Sequence, residues 1–201
     1  MSEQIKTIVF DLGKVLIDFS FDPFAKFLKE RGVEFESIQD LATNVRMIEH
    51  ERGETSKDEF IENALSLLKV QTSAQELTSA WTNIFSPHQD MLDLCQSLKP
   101  NYTVCILSNT SIIHWEHLKA TYDLDSRAHH LFASFEVGAL KPNPVIYNAV
   151  LEKVNCKPSE MVFIDDIEEN AIGATKCGWN GITHRGFLET KKELDRLGVA
   201  I

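Results

Sequence analysis

Long apolar runs are missing from this 201-residue sequence, and no stretch is apolar enough to span a bilayer. Cysteine is scarce. Cys95, Cys105, Cys156 and Cys177 form no Cys-x-x-Cys pair and match no zinc-ligand spacing, which leaves a reduced cytoplasmic protein as the simplest reading. Cys105 lies inside an apolar strand pattern, where a buried thiol is expected. Positive charge is also in deficit. The 20 Lys and Arg against 30 Asp and Glu give a formal net charge of −10, which argues against nucleic acid or an anionic membrane as partner. An acidic protein handling a phosphorylated substrate would need local positive charge from a metal or a placed lysine. Residues 1–4 are polar and lead directly into a strand, so no secretory leader is expected. There is no internal repeat and no low-complexity linker.

What is present fits one α/β domain with a modest insertion. Residues 5–10 read as a first strand, short, β-branched and apolar. From Asp22 to Phe85 the pattern turns helical throughout. Asp22-Pro23 opens one helix, and Ile38, Leu41, Val45 and Ile48 recur at helical spacing up to a stop at Gly53. Ser56-x-x-Glu59 and Ser73-x-x-Glu76 are capping boxes ahead of two more helices, so the insert is expected to hold four. After Pro87, strands expected over 102–107, 131–135, 161–164 and 181–184 alternate with helices. That alternation implies a Rossmann-like, doubly wound parallel sheet covered on both faces. The expected division is a core of residues 1–18 and 86–201 with a helical cap over 19–85.

Polar residues follow these strands directly. Asp11 ends the first, Ser108-Asn109-Thr110 follow the second, and Asp165-Asp166 follow Met161-Val162-Phe163-Ile164. Lys141 stands ahead of Pro142-Asn143-Pro144 at a helix start. The carboxyl ends of parallel strands share one edge, where ligands bind, so these residues are expected to converge. Three carboxylates, an ammonium and a hydroxyl suit phosphoryl transfer: carboxylates hold Mg²⁺, the lysine offsets phosphate charge, and one aspartate attacks phosphorus. Taken singly, each has a plainer reading as a turn, cap or loop residue.

As an ordered set they resemble the haloacid dehalogenase-like (HAD) hydrolase superfamily over nearly the whole chain. Its Asp-x-Asp-x-(Thr/Val) opening is matched by Asp11-Leu12-Gly13-Lys14-Val15, and its Ser/Thr after a strand by Ser108. Its lysine is matched by Leu140-Lys141-Pro142, and its acidic pair by Asp165-Asp166 with Asn170 following. The insert matches its helical cap. The resemblance implies that Asp11 is nucleophile and metal ligand, Asp166 the main metal carboxylate, and Asp165 near it or behind it. It also implies that Ser108 and the Asn109 backbone bind phosphate, that Lys141 bridges nucleophile and phosphate, and that the Gly13 carbonyl is a metal ligand. In the cap, His50-Glu51-Arg52 sits near the helix end at Gly53. Arg52 is a candidate substrate contact, with a solvated helix terminus as the alternative.

Gly13 departs from the family pattern, because it lacks the side-chain acid/base usual at that position. General acid catalysis contributes roughly 10²–10⁴-fold, so its loss matters most for poor leaving groups. The expectation is that Gly13 selects substrates with good leaving groups, or that acid help comes from the cap or water. Phe-Asp-Leu-Gly with Leu-Ser-Asn-Thr resembles a bacterial branch that includes an α-glucose-1-phosphate phosphatase, making a sugar phosphate a candidate substrate. A Mg²⁺-dependent phosphatase for a small phosphorylated metabolite is the leading reading. Haloacid dehalogenase and a non-catalytic binding protein are the alternatives. His114-x-x-His117 is read as a surface feature rather than a metal site, and His129-His130 has no identified partner.

Overall fold

Side chains alternate across a strand, and here the alternation sorts two cores. In a computed structural model describing residues 4–201, β1 (Thr7–Phe10) sends Ile8 and Phe10 to one face and Val9 to the other. The remainder of the polar segment read at residues 1–3 lies outside the described residues. β1 pairs in parallel with β4 (Thr103–Ser108) and β6 (Met161–Asp165), while β5 (His130–Ala133) and β7 (Asn180–Thr183) complete a five-stranded sheet ordered β5-β4-β1-β6-β7. Every pairing is parallel, and both faces are covered, as expected for a doubly wound α/β fold.

Helices α6 (Gln89–Leu98), α7 (Ile112–Tyr122) and α12 (Phe187–Arg196) pack on the Ile8 face through residues such as Leu92, Trp115 and Leu194. Helices α10 (Pro144–Lys153) and α11 (Glu168–Lys176) cover the Val9 face through Tyr147, Val150 and Ala174. The chain leaves β1 toward β4 and β5, then returns to β6 and β7, so strand order reverses at β1, whose end carries Asp11. A crevice at such a reversal is where open α/β sheets bind ligands. Among the described residues, no helix is long and apolar enough to cross a membrane.

The insert holds five helices rather than four: α1 (Asp22–Lys29), α2 (Ile38–Asn44), α3 (Met47–Glu51), α4 (Lys57–Leu68) and α5 (Ala74–Thr82). The second expected helix breaks at Arg46, whose φ of 56° is left-handed and cannot continue a helix. Both capping boxes form, with Ser56 accepting from Glu59 N and Ser73 from Glu76 N. The four-residue helix α8 (Leu124–Arg127) follows α7, and α9 (Ser134–Val137) takes the last two residues of the strand expected at 131–135. A third departure is the crossing between insert and sheet. Here β2 (Ile17–Phe19) and β3 (Phe85–Pro87) form an antiparallel ribbon that straddles the junctions expected at 18/19 and 85/86. Phe24, Leu28, Leu41, Phe60, Leu77 and Trp81 form the insert's own core, joined by Ile113 from α7.

Candidate active site

Asp11, Lys141 and Asp165 meet in one buried network. The Lys141 ammonium lies 2.7 Å from Asp11 Oδ1 and 2.7 Å from Asp165 Oδ2, and it also donates to the Leu107 carbonyl at 3.3 Å. Burial alone would lower the Lys141 pKa, but the two carboxylates hold it above its ordinary value. For Asp11, burial pushes the carboxyl up to about 7, with Lys141 pulling it down and Asp165 adding to the rise. Asp165 accepts from Lys141 Nζ, the Ile167 N–H (2.8 Å) and the Asn170 amide (3.1 and 3.2 Å), so its oxygens are committed within the protein. Asp166 is half-buried, and burial followed by the charge of Asp165 raises its pKa.

Asn109 fixes the lysine from behind. Its Oδ1 accepts from Lys141 N at 2.8 Å and its Nδ2 donates to Lys141 O at 3.2 Å, tying the end of β4 to a loop 32 residues away. The amide is thereby spent on the lysine's main chain. Packing on the far side completes the support: a Cβ at Gly173 would come within 2.8 Å of Pro142 Cβ, so α11 lies tight against the residue after Lys141.

One oxygen of each of Asp11, Asp165 and Asp166 lies within 4.8 Å of the others. Three carboxyl groups thus stand against one ammonium, an excess of acidic oxygens at the crevice. The Gly13 carbonyl, which accepts no hydrogen bond among the described residues, adds a further hard oxygen. This donor set fits a divalent cation such as Mg²⁺.

Above the strand ends, a pocket of about 90 Å³ joins core to cap, with Leu12, Gly13, Ser108 and Asn109 on one side and Met47 and Glu51 on the other. Ser108 is buried in it. Glu51 makes no side-chain hydrogen bond among the described residues, and burial pushes its carboxyl up to about 7. Its position is fixed through its main chain, because Ser134 Oγ donates to the Glu51 carbonyl at 2.6 Å. Two residues on, Gly53 (φ 74°) passes so close to Phe135 that a Cβ would lie 2.3 Å from the Phe135 carbonyl oxygen.

Arg52, the expected substrate contact, is exposed and pairs with Glu54 at 3.2 Å outside this pocket. As the residue after the last turn of α3 it turns to solvent, while its neighbour Glu51 turns inward; no periodicity marks that difference. His114 departs from the surface placement expected for His114-x-x-His117. It is buried at the seam between cap and core, stacked on Trp81 with Nε2 donating to the Trp81 carbonyl at 3.1 Å, and burial lowers its pKa to about 4. His129 Nδ1 accepts from Val104 N at 3.0 Å. Cys105 is buried, as expected, and burial pushes its thiol up to about 12.

Residues 5–178 match the haloacid dehalogenase-like hydrolase family. A D-ribitol-5-phosphate phosphatase of Bacteroides thetaiotaomicron is 27% identical over 95% of this chain and 97% of its own length. A sesquiterpene phosphatase of Aspergillus oryzae is 25% identical over 98% of each. Among solved structures, a HAD-family enzyme of Bacteroides thetaiotaomicron, in complex with magnesium and inorganic phosphate, superposes with a TM-score of 0.81 at 27% identity. It covers 90% of this chain and 94% of that one. With this match over most of its length and this sheet beneath its acidic crevice, the chain belongs to the haloacid dehalogenase-like hydrolase family.

Proposed function

We propose that the protein is a Mg²⁺-dependent phosphatase of small phosphate monoesters that works through an aspartyl-phosphate on Asp11. The observation that carries this reading is the buried contact of the Asp11 carboxylate with Lys141, itself braced by Asp165. Asp11 attacks phosphorus as the bond from phosphorus to the ester oxygen breaks. Lys141, Ser108 and the main chain at Asn109 hold the phosphoryl oxygens. Asp11, the Gly13 carbonyl and Asp166 would hold the metal, with Asp165 behind them, and bound Mg²⁺ supplies charge neutralisation. The departing oxygen takes its proton from Glu51, which stands in for the side chain absent at Gly13. Glu51 then accepts a proton from the water that hydrolyses the aspartyl-phosphate, releasing inorganic phosphate and restoring Asp11.

Residues 19–85 act as the cap that encloses the leaving group, over a core of 1–18 and 86–201. The names of the two relatives span a polyol phosphate and a sesquiterpene, so what they share is the phosphate, and a sugar phosphate stays within the proposed class. The four free cysteines fit a reducing cytoplasm. The dehalogenase alternative is disfavoured because three carboxylates at the crevice would repel a substrate's own carboxylate.

Phosphate release from p-nitrophenyl phosphate, with Mg²⁺ and with a chelator, is the direct test. Turnover that needs Mg²⁺ and is lost in Asp11→Asn is the expected result. Chloride release from 2-chloropropionate with no phosphate release would replace this reading with the dehalogenase one.

A further inference from the structure

A second and larger space lies inside the cap, beyond the crevice. Its volume is about 310 Å³, roughly ten times the ~30 Å³ that a water molecule occupies in the liquid. Protein interiors are close-packed and leave few voids larger than one water, so a space of this size is not a packing defect. It falls within the range of small-molecule pockets, about 300–1,000 Å³.

Sixteen residues line it and fourteen are apolar, among them Phe24, Leu41, Phe60, Leu77 and Trp81; the exceptions are Gln39 and Glu51. Phe19, Phe21, Met47 and Glu51 also line the crevice that contains Gly13 and Ser108. The two spaces therefore adjoin, with Phe19, Phe21, Met47 and Glu51 between them. That adjacency points to the occupant: a substrate whose phosphate sits at the strand ends beside Ser108 would extend its organic part past Glu51 toward the cap.

We propose that this cavity receives the leaving group and that the substrate class is the phosphate monoester of an apolar alcohol, a hydrocarbon chain or ring system. The proposal rests on the phosphatase reading above and narrows it. A sugar or polyol carries a hydroxyl on nearly every carbon. In this cavity the only polar side chains it would meet among the described residues are Gln39 and Glu51. Each hydroxyl left unpaired would weaken binding by on the order of tenfold. A hydrocarbon meets no such penalty and covers the aromatic wall.

The test is kcat/KM with Mg²⁺ for n-alkyl monophosphates from methyl to dodecyl, beside ribitol 5-phosphate, glucose 6-phosphate and p-nitrophenyl phosphate. A buried methylene contributes up to about fourfold, so octyl phosphate should exceed methyl phosphate by about a hundredfold or more before the cavity fills. The polyol and sugar esters should stay near the methyl value. In Ala64→Phe, which narrows the cavity, the octyl-to-methyl ratio should fall by at least about tenfold. A readout without turnover is the binding of the same series to Asp11→Asn protein, followed by Trp81 fluorescence, where affinity should tighten with chain length. Hydrolysis of p-nitrophenyl phosphate with no length dependence, or with ribitol or glucose phosphate preferred, overturns the apolar assignment and leaves the phosphatase reading standing. No phosphate release from any ester overturns the phosphatase reading and this assignment with it.

Discussion

Phe19 crowds position 13: a Cβ on Gly13 would stand 3.1 Å from Phe19 Cε1, so the ring would have to give by a few tenths of an ångström to admit a side chain there. Lys14 holds the ring in place. It has a φ of 59°, bonds Asp18 and the Phe19 carbonyl (2.6 Å) through Nζ, and lies 4.6 Å from the ring centroid. The bare position at Gly13 and the ring that lines both crevice and cap cavity thus meet in one contact.

Gly13→Asp alone should overpack this contact and cost about 1–3 kcal/mol of stability, measured by denaturant unfolding. Adding Phe19→Ala opens the space. Gly13→Asp/Phe19→Ala should then hydrolyse alkyl phosphates about tenfold or more faster than Phe19→Ala, with little gain on p-nitrophenyl phosphate, whose leaving group needs no proton. An equal gain on both esters would contradict the account of Gly13 as a lost acid.

Glu51 gives a pH signature. Burial raises its carboxyl to about 7 from an ordinary 4.5, so the proton that the proposed mechanism takes from it is present below about 7 and lost above it. kcat on alkyl phosphates should fall as pH rises through 7, and Glu51→Gln should remove that limb while lowering kcat by roughly 10²-fold. The folded protein binds this proton more tightly than the unfolded chain, so stability declines as pH rises from 4.5 to 7. At pH 8, Glu51→Gln should therefore be more stable than the parent by about 1–2 kcal/mol in thermal unfolding.

In the proposed mechanism the Asn109 side chain is a positioning residue that acts through Lys141, whose main chain it bonds at both N–H and carbonyl. Asn109→Ala removes two hydrogen bonds to the lysine's main chain and should lower kcat by about 10–100-fold with a stability loss of about 1–3 kcal/mol. In the Lys141→Ala background the same change should cost little further activity, which a double-mutant cycle would detect. Additive losses would assign Asn109 a separate role.

The acidic pair should divide in its consequences. Asp165→Asn weakens a buried, fully bonded partner of Lys141 and should cost about 3 kcal/mol of stability. Asp166→Asn, half-buried, should leave the unfolding midpoint nearly unchanged and raise the Mg²⁺ concentration needed for half-maximal activity by about tenfold or more. Equal thermal losses in the two variants would refute this division.

The parallel sheet was legible because its strands are apolar runs that stop at polar residues, which is also what exposed Asp11, Ser108 and Asp165-Asp166. The β2–β3 ribbon was not. Three-residue strands such as Phe85-Ser86-Pro87 carry too little alternation to read, and pairing with Ile17-Asp18-Phe19 spans the entire insert. The break at Arg46 has no glycine or proline to announce it. Glu51 was hidden because its inward turn depends on Ser134, 83 residues away, and the Asn109 clamp because its partner is equally invisible to local pattern.

The bond from Ser134 to the Glu51 main chain separates two kinds of change open to this protein. The Glu51 main chain is tied to the segment that follows the sheet's edge strand β5, while most of the cavity wall comes from helices α1, α2, α4 and α5, which take no part in that anchor. Wall residues such as Ala42, Ala64 and Leu68 can be exchanged, by drift or by design, without removing the bond that fixes the Glu51 main chain. Such an enzyme can change its clientele while keeping its chemistry fixed.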